Sequence, residues 1–215
     1  MALIEEIHKE VQPFFKDASS CHAYDHTERV VALCKHIGKK EKADLEILEI
    51  AALLHDICKP EELRTKGAIC HAEKGGEIAK QILKKYNIQK ERIEAIVHCI
   101  KTHRKSKDLK PQTLEGKILS DADKLDQLGA VGVGRTFMCA NEIGAKLHND
   151  KEVRKHIEET KPYTQEDTAY REFALMLSKI KDTLYTEEAK RIAKERHEFM
   201  VNFFERLNKE IDGEI

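Results

Sequence analysis

Residues 44–60 read DLEILEIAALLHDICKP. Apolar residues recur there at helical spacing, and a helix is expected from Asp44 to Ile57. It stops ahead of Pro60, because the residue before a proline is pushed out of the helical region. The five apolar residues Ile50 to Leu54 run directly into His55 and Asp56. A side chain that carries charge or binds a cation is expensive to bury alone beside such a run. The pair therefore suggests shared coordination or a strong hydrogen bond.

Helical periodicity continues in both directions. A first helix is expected over about 2–15, with Leu3, Ile4, Ile7, Val11 and Phe14 on one side and Pro13 weakening its end. A second starts after Asp25, where Asp25 and Glu28 have capping-box spacing. Others follow over about 72–86, 89–103 and 113–128, and a Gly-punctuated stretch, GAVGVGRTF, begins at Gly129. Residues 144–165 are polar and charged, and read as a loop or lid. Two long helices, about 165–184 and 187–211, end the chain, with Thr186 as N-cap of the last. No Thr-, Val- or Ile-rich alternation bounded by turns marks a strand. The expected class is all-α, in one domain over 1–215.

The 38 basic and 39 acidic residues leave a net charge of −1, so no global positive field exists to hold nucleic acid or an anionic membrane. The longest apolar runs are far short of the roughly twenty residues of a membrane span. The N-terminal MALIEEIHKE puts acids where a signal peptide needs basic residues, and a cytoplasmic protein is expected. None of the six cysteines forms a C-x-x-C pair, so reduced thiols are expected. Cys21, Cys70 and Cys99 each adjoin a His, which leaves room for one thiol on a metal.

His26 opens the second helix, and Asp121 and Asp123 lie in KILSDADKLDQLG. His71, His98 and His103 fall between the His55-Asp56 pair and these aspartates. Imidazole nitrogen suits Fe, Ni, Zn and Mn, and carboxylate adds charge and accepts harder ions. Two His and two carboxylates on three helices can surround one ion and leave positions for water and substrate. Spacing alone does not bring them together, and satisfied core histidines are the plainer reading.

These residues resemble the H…HD…D signature of the HD-domain phosphohydrolase superfamily. CHAYDHTERVV resembles the first motif of its small stand-alone members, and LEIAALLHDICKP the second. TLEGKILSDADKLDQLGAVGVGRTF resembles the third block, and TEEAKRIAKERHEFMVNFFERL the C-terminal helix. The resemblance implies an HD-type helical bundle with a metal-site core at about 20–130 and C-terminal helices packing on it. It also implies one divalent ion (Mn, Mg, Fe, Ni or Zn) on His26, His55, Asp56 and Asp123, and hydrolysis of a phosphoester or phosphoanhydride. His55 and Asp56 are thereby catalytic candidates, and the substrate is a small phosphorylated compound, nucleotide-like in several relatives.

The last ligand needs a choice. The apolar stripe Leu114, Ile118, Ala122, Leu125 and Leu128 includes Asp121 and excludes Asp123, whereas the family's ligand corresponds to Asp123. Asp123 is taken as the ligand and Asp121 as its partner. Some branches hold a second metal on extra histidines, which here implies His71, at the head of HAEKGGEIA, and His98. His103 lies five residues beyond His98, about 140° around the helix, and is assigned to substrate phosphate. Lys59, Lys124 and Arg135 are the expected phosphate cations, Lys124 and Arg135 also as catalytic groups. Two other readings stay open, a di-iron oxygenase on the same fold and a non-catalytic nucleotide-binding regulatory module.

Overall fold

The computed structural model describes residues 2–16, 18, 23–104 and 109–215; Cys21 and His22, at the start of the first motif, lie outside them. The described elements are helices, as expected. The chain divides into two compact units, Met1–Asp123 and Lys124–Ile215.

The first unit holds α1 (Ala2–Val11), α2 (Tyr24–Glu41), α3 (Leu45–Leu54), α4 (Lys59–Arg64), α5 (His71–Leu83), α6 (Lys90–Thr102) and most of α7 (Leu114–Leu125). The first expected helix is shorter than its periodicity suggests: Pro13 sits in a 3-10 turn, Gln12–Phe15, that follows α1. α3 is the centre of the unit, packed against α1, α2, α5 and α6. The sequence explains this, since Ile50 to Leu54 has no polar residue and is wholly buried together with Leu48, while Glu46 and Glu49 lie nearer the start of the helix. A helical stretch that is apolar all round belongs inside. Each fully buried Leu or Ile contributes about 1.5–3 kcal/mol. The start of α3 is fixed by Asp44, whose carboxylate accepts from the Glu46 and Ile47 amides and is gripped by Arg92 of α6 through both terminal nitrogens at 2.8 and 3.0 Å. Gly38 lets α2 lie close on α3, where a Cβ would meet Leu48 and Leu45 side-chain carbons at 2.5 and 2.9 Å.

Two helix ends differ from expectation. α2 has Ala23 as N-cap without a side-chain bond, so the Asp25–Glu28 box is not formed. Asp25 lies inside the first turn, where it accepts from the His26 amide and pairs with Arg29 at 2.6 Å. Pro60 does not stop the chain from coiling but sits at the start of α4, where a missing N–H costs nothing.

The second unit holds α8 (Gly129–Glu142), α9 (Lys151–Lys155), α10 (Ala169–Leu175), a 3-10 segment (Leu177–Asp182) and α11 (Glu187–Ile211). α8 packs on α10 and α11 around Phe173 and Phe204, whose rings stack at 4.7 Å. Gly129 starts α8 from a positive φ of 76°, a conformation costly for other residues. The long helix expected over 165–184 is interrupted. Thr168 caps a new start by accepting the Arg171 amide, and Met176 breaks the helix at φ −120°, ψ −60°. The polar stretch 144–165 contains α9, with Asp150 as its cap, and Arg154 holds Asp212 at 2.5 and 2.6 Å. Thr186 is the N-cap of α11 by backbone geometry, its side chain making no capping bond to the helix. No helix among the described residues is long and apolar enough to cross a membrane.

Candidate metal centre

Burying α3 carries His55 and Asp56, at its C-terminal end, into the middle of the first unit, where they are 0% and 6% exposed. His26 reaches them from the first turn of α2, and Asp123 from α7. His26 Nε2 lies 3.3 Å from His55 Nε2 and 3.3 Å from Asp123 Oδ1. Asp56 Oδ2 is 3.7 Å from both imidazoles.

The other oxygen of Asp56 faces a second cluster. Its Oδ1 lies 3.1 Å from His71 Nε2, at the start of α5, and 3.6 Å from His103 Nε2, just beyond α6. The two imidazole nitrogens are 3.1 Å apart. Among the described residues, two triads could hold a metal ion, His26–His55–Asp123 and Asp56–His71–His103, each with its ligand atoms within 4.8 Å of one another.

The far side of each ring decides what faces inward. His55 Nδ1 lies 2.7 Å from Ala52 O, and His103 Nδ1 2.6 Å from Ile100 O. A carbonyl only accepts, so Nδ1 carries the hydrogen and a neutral ring turns a bare Nε2 lone pair to the centre. His71 Nδ1 donates likewise to Glu62 Oε2 at 2.7 Å. The bare lone pairs of His71 and His103, facing one another at 3.1 Å, repel unless a cation lies between them. Atoms bound to one ion at about 2.0–2.2 Å sit roughly 3–3.6 Å apart, which is the spacing found. The N and O donor set and its separations therefore fit a divalent ion, and ring orientation by outer hydrogen bonds is the usual companion of such sites.

The electrostatics of His55 and of the two carboxylates agree. Burial pushes the His55 pKa down to about 4, keeping the ring neutral and able to ligate. Burial opposes ionisation of Asp56, yet His55, His103 and His71 outweigh it and hold the carboxyl well below the usual carboxylate range. Asp123 is also held low, against its burial, by the hydrogen bond and charge of His26. Burial lowers the His103 pKa, but its bond to Asp56 more than compensates and the net shift is upward.

The expected residues divide clearly. His26, His55, Asp56 and Asp123 converge. Asp121 is fully buried, and it belongs to neither triad. His71 joins the second triad, but His98 does not. Its Nε2 accepts the Gln112 amide at 3.1 Å, in a cavity of about 420 Å³ lined also by Val97, Lys101 and Leu109. His103, expected at substrate phosphate, stands in its place. The five-residue offset that separates the two rings around the helix turns only one of them inward. Lys59 Nζ is 2.8 Å from Glu62 Oε2. In the second unit, Lys124 donates to Thr183 O at 3.1 Å and lies 4.9 Å over the Tyr185 ring, and Arg135 pairs with buried Asp126 at 2.9 Å. No described Cys is in either triad, and none of the described cysteines forms a disulfide.

Glu62 and Arg104 were not anticipated. Arg104 Nη1 bonds Glu62 Oε1 at 2.7 Å and lies 3.1 Å from His71 Nδ1. Burial opposes ionisation of Glu62, but Lys59 and His71 hold its pKa down to about 2. Six residues beyond Asp56, Glu62 reads in sequence as one more surface acid.

Comparison with known proteins places this geometry. The HD domain family matches residues 23–128, a span that includes both triads. The chain is 36% identical to YpgQ of Bacillus subtilis (strain 168), over 97% of this chain and 94% of that one. The crystal structure of Bacillus subtilis YpgQ in complex with ADP has a TM-score of 0.72 and 31% identity, covering 96% of this chain and 94% of that chain. A predicted HD-superfamily hydrolase from an uncultured Thermotogales bacterium has a TM-score of 0.67 and 31% identity, covering 96% and 91%. An HD-superfamily hydrolase from Bacillus thuringiensis has a TM-score of 0.75 and 27% identity, covering 98% and 97%. With its His-Asp pair set between two converging triads and this likeness along nearly its whole length, the chain belongs to the HD-domain family.

Proposed function

We propose that this protein is a metal-dependent phosphohydrolase that cleaves a phosphoester or phosphoanhydride of a small nucleotide-like substrate. The observation that carries the reading is the sharing of Asp56, one oxygen toward each of two buried triads. His26, His55 and Asp123 would hold one ion, His71 and His103 a second, with Asp56 between them. Bound divalent ions acidify water and neutralise charge on a phosphoryl group. The chain's own residues do the rest. His55, His71 and His103 have their Nδ1 hydrogens engaged elsewhere, so their Nε2 atoms need no rearrangement to ligate. Asp56, ionised and buried, balances cationic charge. Lys59, Lys124 and Arg135 are assigned to substrate phosphate. The ADP complex of YpgQ supports a nucleotide as the substrate class.

The test is a screen of metal-reconstituted protein against a panel of phosphate compounds, reading phosphate and pyrophosphate separately. Release from a nucleotide is expected. No release, together with oxygen uptake by the iron form, would move the protein to the oxygenase class. Nucleotide binding without turnover would make it a regulatory module.

A further inference from the structure

Two carboxylates flank the single ring hydrogen of neutral His71. Glu62 Oε2 lies 2.7 Å from Nδ1, and Asp56 Oδ1 lies 3.1 Å from Nε2. The choice between them has a chemical consequence. A hydrogen on Nδ1 leaves Nε2 bare and the second triad open to a cation. A hydrogen on Nε2 satisfies Asp56, points into the triad beside His103 Nε2, and closes it. We propose that Glu62 is a positioning residue that selects the ion-accepting tautomer of His71, an inference that rests on the two-triad reading above.

Three contacts equip Glu62 for this. Lys59 Nζ holds Oε2 at 2.8 Å, and Arg104 Nη1 holds Oε1 at 2.7 Å. Its Oε1 is also 3.4 Å from the His71 amide nitrogen. Both oxygens are thus fixed from α4, α5 and the end of α6, and the carboxylate only accepts. Arg104 Nη1, 3.1 Å from His71 Nδ1, can only donate and so cannot replace it. Remove the carboxylate and the acceptors left for the ring hydrogen, Asp56 Oδ1 and the bare Nε2 of His103, both lie on the Nε2 side.

The tautomer is read by long-range ¹H–¹⁵N NMR on metal-free protein at a pH where the ring is neutral. Wild type should show the Nδ1–H form, and Glu62→Met the Nε2–H form. In Mn²⁺ titrations, Glu62→Met should weaken one of two classes of site by roughly 10- to 100-fold and spare the other. Should Glu62→Met fail to fold, Glu62→Gln decides. Its amide can also turn NH₂ toward the ring, so a mixed tautomer population and a smaller loss at the same class are expected. An unchanged tautomer with unchanged affinities in the folded variant would overturn the inference. A wild type that takes up one Mn²⁺ or none would overturn the two-ion reading instead. The tautomer measurement, made without metal, would then still decide the role of Glu62.

Discussion

His55 and His103 each cap the end of a helix and give Nδ1 to a carbonyl of that helix, whereas His71, at the first turn of α5, depends on a network of side chains around Glu62. The first triad is oriented by packing, since the last turns of α3 are buried and carry His55 with them. In the second, His71 is turned by a carboxylate that Lys59 and Arg104 hold in place. Backbone packing is hard to perturb with one substitution, and a side-chain network is easy. The second triad is therefore the more tunable half of the centre, and Asp56 is the one residue common to both.

The largest effect should come from Asp56. Asp56→Ala should abolish both classes of ion binding and lower phosphohydrolase activity by roughly 10³-fold or more, because several kcal/mol of charge stabilisation are lost. Elemental analysis against activity checks this, and retention of one ion would show that the triads do not depend equally on Asp56. The second-unit cations come next. Lys124→Ala and Arg135→Ala should keep the metal and lose about 2–4 kcal/mol of transition-state binding, roughly 30- to 1,000-fold in activity. Arg135→Ala should also lower the melting temperature, because buried Asp126 loses its ion-pair partner. Full activity in both variants would remove them from the substrate site.

His103→Ala and His98→Ala test the boundary of the second triad. The first should lower metal stoichiometry from two towards one, and the second should leave it unchanged. The reverse result would restore His98 as the ligand. Asp44→Ala should have the smallest effect: about 1 kcal/mol for the lost helix cap, or a melting shift of roughly 2–4 °C, with metal content unchanged. The Arg92 bonds hold the Asp44 carboxyl below its ordinary value of 3.8. A group depressed in the folded state stabilises above its unfolded pKa and loses that contribution as pH falls through the folded one. The difference between Asp44→Ala and wild type should thus shrink in acid, as thermal melts across pH 2–7 would show.

Local features made half of this centre legible. The all-apolar stretch Ile50 to Leu54 predicts a buried helix end, and a His-Asp pair directly after it has nowhere to go but the interior. The apolar stripe of α7 by itself favoured Asp121, and only the family resemblance pointed to Asp123; Asp121 lies in the core while Asp123 turns to His26. The direction of His103 was not legible, because it depends on where α6 stops, and helix ends shift by a residue or two without changing periodicity. Glu62 was missed because α4 has only six residues, too few for a periodic signal.

The sequence by itself determined the helical class, the burial of α3, and the residue types able to bind a cation, since each follows from side chains a turn or two apart. The tertiary structure alone decided which of them meet. His26 and His55 are 29 positions apart, His71 and His103 are 32, and nothing local relates them. Only the packing of α2, α5 and α6 around one apolar helix brings their nitrogens to within 3.3 and 3.1 Å.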